Sequence, residues 1–264
     1  MNQWHCIRSQ SLLLCFLALG LLNCGQQKTD EMNCFVRVSQ QDPRYFELSD
    51  GSPYIPNGLN MVLPGRRSDT QAGLDQMQTW MRLLSENGGN TIRIWLGHSF
   101  WNIEQDNAGE FSQEVAARID SLFAMAKKYN IRLKLCIEYF RSIHPDNIGV
   151  QGRFPRTQYH VSEGGPFNTM DEYINTEKGR DFFKRKLDWY ENRYGSDPVV
   201  FGWELWNEMN TIVADGWQDW TVEMLEQLKI RFPQNLVMQS LGSFDREYKR
   251  GLYRKICKLP DNQV

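Results

Sequence analysis

The chain has 264 residues, enough for one large domain or two small ones. Its 30 Lys and Arg nearly cancel its 32 Asp and Glu, and a net charge of −2 leaves no basic footprint for nucleic acid. With 41% hydrophobic and 12% aromatic residues, the composition excludes disorder, collagen, a coiled coil and a polytopic membrane protein.

Residues 1–23 carry one charged side chain, Arg8, and the first acid is Asp30. Ser11–Leu22 is a 12-residue apolar run, too short to span ~30 Å of hydrocarbon and suited to the core of an export signal. We therefore expect a signal peptide over 1–23. Leu21-Leu22-Asn23-Cys24 resembles a bacterial lipobox. That resemblance implies a lipid on Cys24 and a place at the bacterial outer membrane or cell surface, with a periplasmic or secreted protein as the alternative. Residues 24–49 are expected to be a tether and N-terminal segment. Cys34, Cys136 and Cys257 follow, an odd and widely spaced set without CxxC, which predicts neither a disulfide framework nor a zinc site. Cys136 reads as a small buried hydrophobe.

From Tyr54 onward, short apolar runs alternate with amphipathic stretches. Strands are predicted at Ile55–Met61, Asn90–Leu96, Arg132–Tyr139, Val199–Glu208 and Leu236–Gly242. Helices are predicted over 70–87, 113–130, 176–194 and 215–232, each with apolar side chains at helical spacing, and a weaker one around 247–258. About 37 residues separate the third strand from its helix.

Repeated βα units predict an α/β fold with a parallel sheet covered by helices. No GxGxxG or GxxxxGK[ST] follows the first strand, which disfavours a nucleotide-binding doubly wound sheet. The long loops all follow strands, as in a (β/α)8 TIM barrel whose working face lies at the strand C-termini. Units of about 45 residues would carry eight strands to about residue 415. The expectation is thus a partial barrel, about five of eight βα units over 50–264, truncated at its C-terminus.

Val199–Glu208 is the most informative segment. A strand buried in a parallel sheet should be almost purely apolar, yet this one contains Glu204 and ends in Asn207-Glu208. Burying a carboxylate without partners costs several kcal/mol, so both acids call for a reason. Glu208 sits where barrel enzymes place catalytic groups, and a carboxyl there suits general acid work.

Trp203-Glu204-Leu205-Trp206-Asn207-Glu208 resembles the fourth-strand signature of the retaining (β/α)8 glycoside hydrolases of cellulase and β-mannanase type. Thr91-Ile92-Arg93-Ile94-Trp95 resembles the second-strand segment whose Arg pairs with carboxylates in the active site, and Ile55-Pro56-Asn57-Gly58-Leu59-Asn60 is similar to the first-strand segment. The resemblance implies hydrolysis of a β-linked polysaccharide, β-mannan or β-glucan, with no cofactor, and without an HxH, HExxH or DxDxD-type cluster no metal is expected. By position it makes Glu208 the catalytic acid/base, Asn207 the holder of the sugar 2-hydroxyl and Arg93 an active-site cation with Glu204 as buried partner. Where many relatives carry a histidine at the third strand end, this chain has Glu138-Tyr139, and Glu138 is taken as a substrate contact. The family's nucleophile is a glutamate on the seventh strand, which this reading expects beyond residue 264.

Trp95, Trp101 and Trp206 lie at or just past strand ends, where they could stack on sugar or simply pack. His98 is a further candidate substrate contact on the same face. Trp189, Trp217 and Trp220 fall on helices and read as core. His144 and His160 share the long third loop with Phe140, Phe154, Tyr159 and Phe167, aromatics that could wall a subsite or pin the loop. The expected partner is polysaccharide or oligosaccharide, the expected state a monomer, and the membrane is met only through Cys24. Two alternatives stand beside hydrolysis: a cell-surface glycan-binding protein without turnover, and a remnant whose open barrel edge aggregates.

Overall fold

The computed structural model describes residues 31–66, 68–139, 154–212, 214–242 and 250–263. The signal peptide, Cys24, Phe140 and His144 lie outside the described residues. Five strands, β4 (Gly58–Asn60), β5 (Thr91–Trp95), β6 (Arg132–Glu138), β7 (Val200–Trp206) and β8 (Leu236–Met238), form one parallel sheet in the order β4-β5-β6-β7-β8. Chain order and spatial order coincide throughout. A doubly wound sheet reverses its order at a switch point, and this one never does; the winding is that of a barrel wall.

Helices α1 (Thr70–Glu86), α2 (Gln113–Lys128), α4 (Glu177–Tyr194) and α5 (Trp217–Arg231) follow successive strands, and α6 (Arg250–Cys257) follows β8. The short α3 (Met170–Asn175) precedes α4 within the segment expected to be loop. The helices form where the periodicity predicts because each has an apolar stripe to bury: Met77 and Met81 on α1, Val115, Ile119, Leu122 and Ala126 on α2, Phe183, Leu187 and Tyr190 on α4. Their starts are set by side-chain caps. Asp69 accepts from the Ala72 N–H at 3.0 Å, Ser112 from Val115 at 3.3 Å and Thr176 from Gly179 at 3.1 Å. At Gly58 the sheet admits no side chain, since a Cβ would lie 1.6 Å from the Thr91 carbonyl oxygen.

Residues 36–54 overlap the N-terminal segment expected over 24–49 and are ordered. They form an antiparallel sheet of β1 (Val36–Val38), β2 (Phe46–Leu48) and β3 (Pro53–Tyr54), in order β1-β2-β3. Val36 and Leu48 pack with Phe201, Leu236 and Met238, and Phe46 meets Phe201 edge-on at 5.3 Å. Phe201 can face this sheet because β7 slips against β6 between Leu133 and Lys134, a bulge that offsets the alternation. Arg132, the first residue of β6, closes the same end: it donates to the carbonyl oxygens of Glu31, at 2.5 Å, and Pro198, with its guanidinium over Tyr54. The small sheet therefore plugs the N-terminal end of the parallel strands and leaves the opposite end for the site. On the far side of β8, Gln263 N–H donates to Val237 O at 3.1 Å, and Asn262 Oδ1 accepts from Gln239 N–H at 2.9 Å.

Candidate active site

The site is built from the C-terminal ends of β5, β6, β7 and β8. Glu204, on β7, is fully buried. Its isolation in an apolar strand is explained by what faces it across the barrel interior. Arg93 of β5 donates from Nε to Oε2 at 2.8 Å and from Nη2 to Oε1 at 2.6 Å; Ser240 Oγ also donates to Oε1; Lys134 Nζ of β6 stands 3.6 Å from Oε2. Burial works against the charge, but Lys134 and Arg93 outweigh it and hold the carboxyl below the usual carboxylate range. Cys136 is buried beside this pair; burial, with the Glu204 charge, pushes its thiol well up, so it is an inert neutral group.

The same guanidinium reaches the residue expected to hold the sugar. Arg93 Nη2 donates to Asn207 Oδ1 at 2.9 Å, and the Asn207 N–H donates to the Glu138 carbonyl at 2.8 Å. Asn207 is thus fixed at backbone and side chain, with its acceptor turned to Arg93 and its Nδ2 hydrogens left for another acceptor. Glu208 follows in a left-handed conformation, φ 54° and ψ 55°, uncommon for a residue with a Cβ and costing about 1–3 kcal/mol. The turn takes Glu208 out of the strand direction and half-exposes it at the sheet's C-terminal end. Its carbonyl accepts from both the N–H and the hydroxyl of Thr211 at 2.8 Å.

Glu138 is placed differently from the expectation. It is buried and ion-paired to Lys186 of α4, which also lies 2.7 Å from Glu104; the Tyr159 hydroxyl donates to Glu104 and, at 3.3 Å, to Glu138. Burial raises the Glu138 carboxyl against the pull of Lys186. The group is committed to a buried network joining the loops after β5 and β6 to α4, which corrects the substrate-contact expectation. Lys186 was missed in the sequence, although it lies within the stripe Phe183, Leu187, Tyr190, where a charged residue demands a partner.

Trp101 and Trp206 are fully buried, the first against Phe100 and the second between Tyr173 and Trp220. A ring without an exposed face cannot stack on sugar, so both belong to the core. Trp217 and Trp220 are buried as expected, and Trp189 packs half-buried against the same cluster. Trp95 is half-buried at the β5 end, stacks on Tyr139 at 5.2 Å and has Arg93 at 5.7 Å from its ring. Among the described residues its buried Nε1 donor has no partner. His98 is tilted by 31° against Tyr139 at 5.0 Å. His160 serves the loop instead: Nδ1 accepts from Ser162 N–H at 3.1 Å and Nε2 lies 2.9 Å from Asn168 O. Phe154, Tyr159 and Phe167 are buried, so the described part of the third loop is pinned to the barrel.

A parallel, singly wound sheet ending in an Asn–Glu pair beside an Arg–carboxylate bridge defines the class: the chain is similar, in sequence and in fold, to the (β/α)8 glycoside hydrolases of cellulase and β-mannanase type. Among curated proteins it is 24% identical over 244 residues to mannan endo-1,4-beta-mannosidase 7 of Arabidopsis thaliana, covering 87% of this chain and 54% of that one. It is 26% identical over 231 residues to mannan endo-1,4-beta-mannosidase 5 of Solanum lycopersicum, covering 75% and 50%. The chain spans about half the length of these relatives. Among solved structures, the endo-1,4-beta-mannanase of Rhizomucor miehei matches with a TM-score of 0.59 at 21% identity, covering 86% of this chain and 69% of that one. A glycoside hydrolase family 5 mannosidase of the same organism, solved with mannosyl-fructose, matches at 0.60 and 20%, covering 83% and 58%. No protein-family profile matches the chain.

Proposed function

We propose that this chain carries the acid/base side of a retaining hydrolase of β-mannan. One observation carries the reading: Arg93 locks Asn207 at the end of β7 while the left-handed turn presents Glu208 beside it. In the reaction, Asn207 Nδ2 holds the 2-hydroxyl of the bound sugar. Glu208 protonates the leaving glycosidic oxygen and then takes a proton from the attacking water. Reducing-sugar release from β-mannan, cellulose and xylan by the purified protein, with the strands that complete the barrel present, tests this beside Glu208→Gln. Release from mannan that the substitution abolishes is the expected result; equal release by the variant overturns it.

A second reading is favoured by one observation. Retaining hydrolysis needs two carboxyls about 5–5.5 Å apart. Among the described residues, the other carboxylates on the parallel strands beside the site, Glu138 and Glu204, are both buried and ion-paired. Glycan binding without turnover by these residues would show as manno-oligosaccharide affinity in calorimetry that survives Glu208→Gln. For the leader, we propose export with lipid on Cys24. Incorporation of labelled palmitate that Cys24→Ala abolishes is the expected result, and equal labelling of the variant overturns it.

A further inference from the structure

The ladder between β7 and β8 ends at the pair Glu204–Met238. Beyond it, side chains from the end of β8 take over the backbone of β7. Gln239 Nε2 donates to Trp206 O at 2.6 Å, and Asn210 and Gly242 exchange two hydrogen bonds of 2.9 and 2.7 Å. At the centre stands Ser240. Its hydroxyl donates to the buried Glu204 carboxylate and accepts from the Glu208 N–H at 3.2 Å, while its carbonyl accepts from the Met209 N–H at 3.3 Å. A hydroxyl can donate and accept at once, which a thiol does weakly and a methyl not at all. Glu204 is acceptor only, so it fixes the direction of the Ser240 proton, and a lone pair is left for the Glu208 amide. The strained turn at Glu208 persists only because its surroundings over-determine it.

We infer that Ser240 is a positioning residue for the acid/base: it links the Arg93–Glu204 ion pair to the backbone of Glu208 and holds that residue in its left-handed turn. This rests on the role of Glu208 proposed above. The test measures amide hydrogen exchange of Glu208 by NMR in the wild-type chain, Ser240→Ala and Ser240→Thr, with Trp203 and Leu205 of β7 as folding controls. Loss of one hydrogen bond is expected to speed Glu208 exchange about tenfold in the alanine variant, with the β7 controls unchanged and threonine restoring protection. With the strands that complete the barrel present, kcat on β-mannan is expected to fall about tenfold with KM held within about twofold, again restored by threonine. Glu208 exchange within about twofold of wild type in Ser240→Ala overturns the inference. If alanine does not fold, Ser240→Cys, close in size and a weak donor, is read by the same exchange criterion. Failure of the hydrolase reading is separately visible, because full mannan release by Glu208→Gln leaves the exchange result standing.

Discussion

Arg93 divides one guanidinium between Glu204 and Asn207. Two parallel hydrogen bonds hold the buried carboxylate, and Nη2 also reaches the Asn207 amide oxygen at 2.9 Å. A residue of β5 therefore sets both the charge balance of the barrel interior and the orientation of the group expected to hold substrate. Arginine suits this because its planar fork serves several acceptors in fixed geometry.

Replacing Arg93 by Met leaves the Glu204 charge buried with Lys134 at 3.6 Å as its remaining cation. Breaking a buried pair by removing one partner costs about 3–5 kcal/mol. We expect a lower urea midpoint at unchanged m-value. Adding Glu204→Met in the same chain should recover much of that loss, because no uncompensated charge is then buried.

Acid should act through the same carboxylate. Glu204 is held below the usual range, so its contribution is complete above the unfolded carboxylate value of about 4.3 and is lost as pH falls through the lower folded value. Wild-type stability should therefore drop as pH falls below about 4. The drop should be shallower in Glu204→Gln, measured by urea unfolding at each pH.

Gly242 is the closest test of space at the site. A Cβ there would lie 2.6 Å from Glu208 Cδ and 2.7 Å from Oε2. Gly242→Ala must displace the Glu208 carboxyl, so the proposed mannan hydrolysis, measured with the strands that complete the barrel present, should fall by about tenfold or more while the thermal midpoint shifts little. The paired measurement is kcat/KM beside a melting curve.

The tryptophans should separate by role. Trp206→Ala opens a cavity in the core and should cost about 3–5 kcal/mol. Trp95→Ala, at the half-buried strand end, should cost less stability and weaken manno-oligosaccharide binding by about threefold to tenfold in calorimetry.

Much of this was legible in the residues themselves. Polar side chains inside the strand at 199–208 stood out because burial of charge needs a partner, and Arg93, named for Glu204, is that partner. The helices were legible because their apolar stripes repeat at the helical period. The small N-terminal sheet was not: strands of two or three residues are too short to show alternation, and β1–β3 are defined by packing on Phe201, about 150 residues away in the chain. Ser240 and Gly242 were missed for a related reason. Nothing local marks a serine whose hydroxyl serves residues 36 and 32 positions earlier. Trp101 and Trp206 show the converse limit, since position at a strand end does not say which way a ring is turned.

The N-terminal plug also gives the molecule a polarity. Glu31 is tied to Arg132 at the beginning of β6, whereas Glu208 lies just past the end of β7, and a seven-residue strand spans roughly 23 Å. Glu31, the first described residue, therefore stands at the back of the barrel wall, away from the mouth at Asn207 and Glu208.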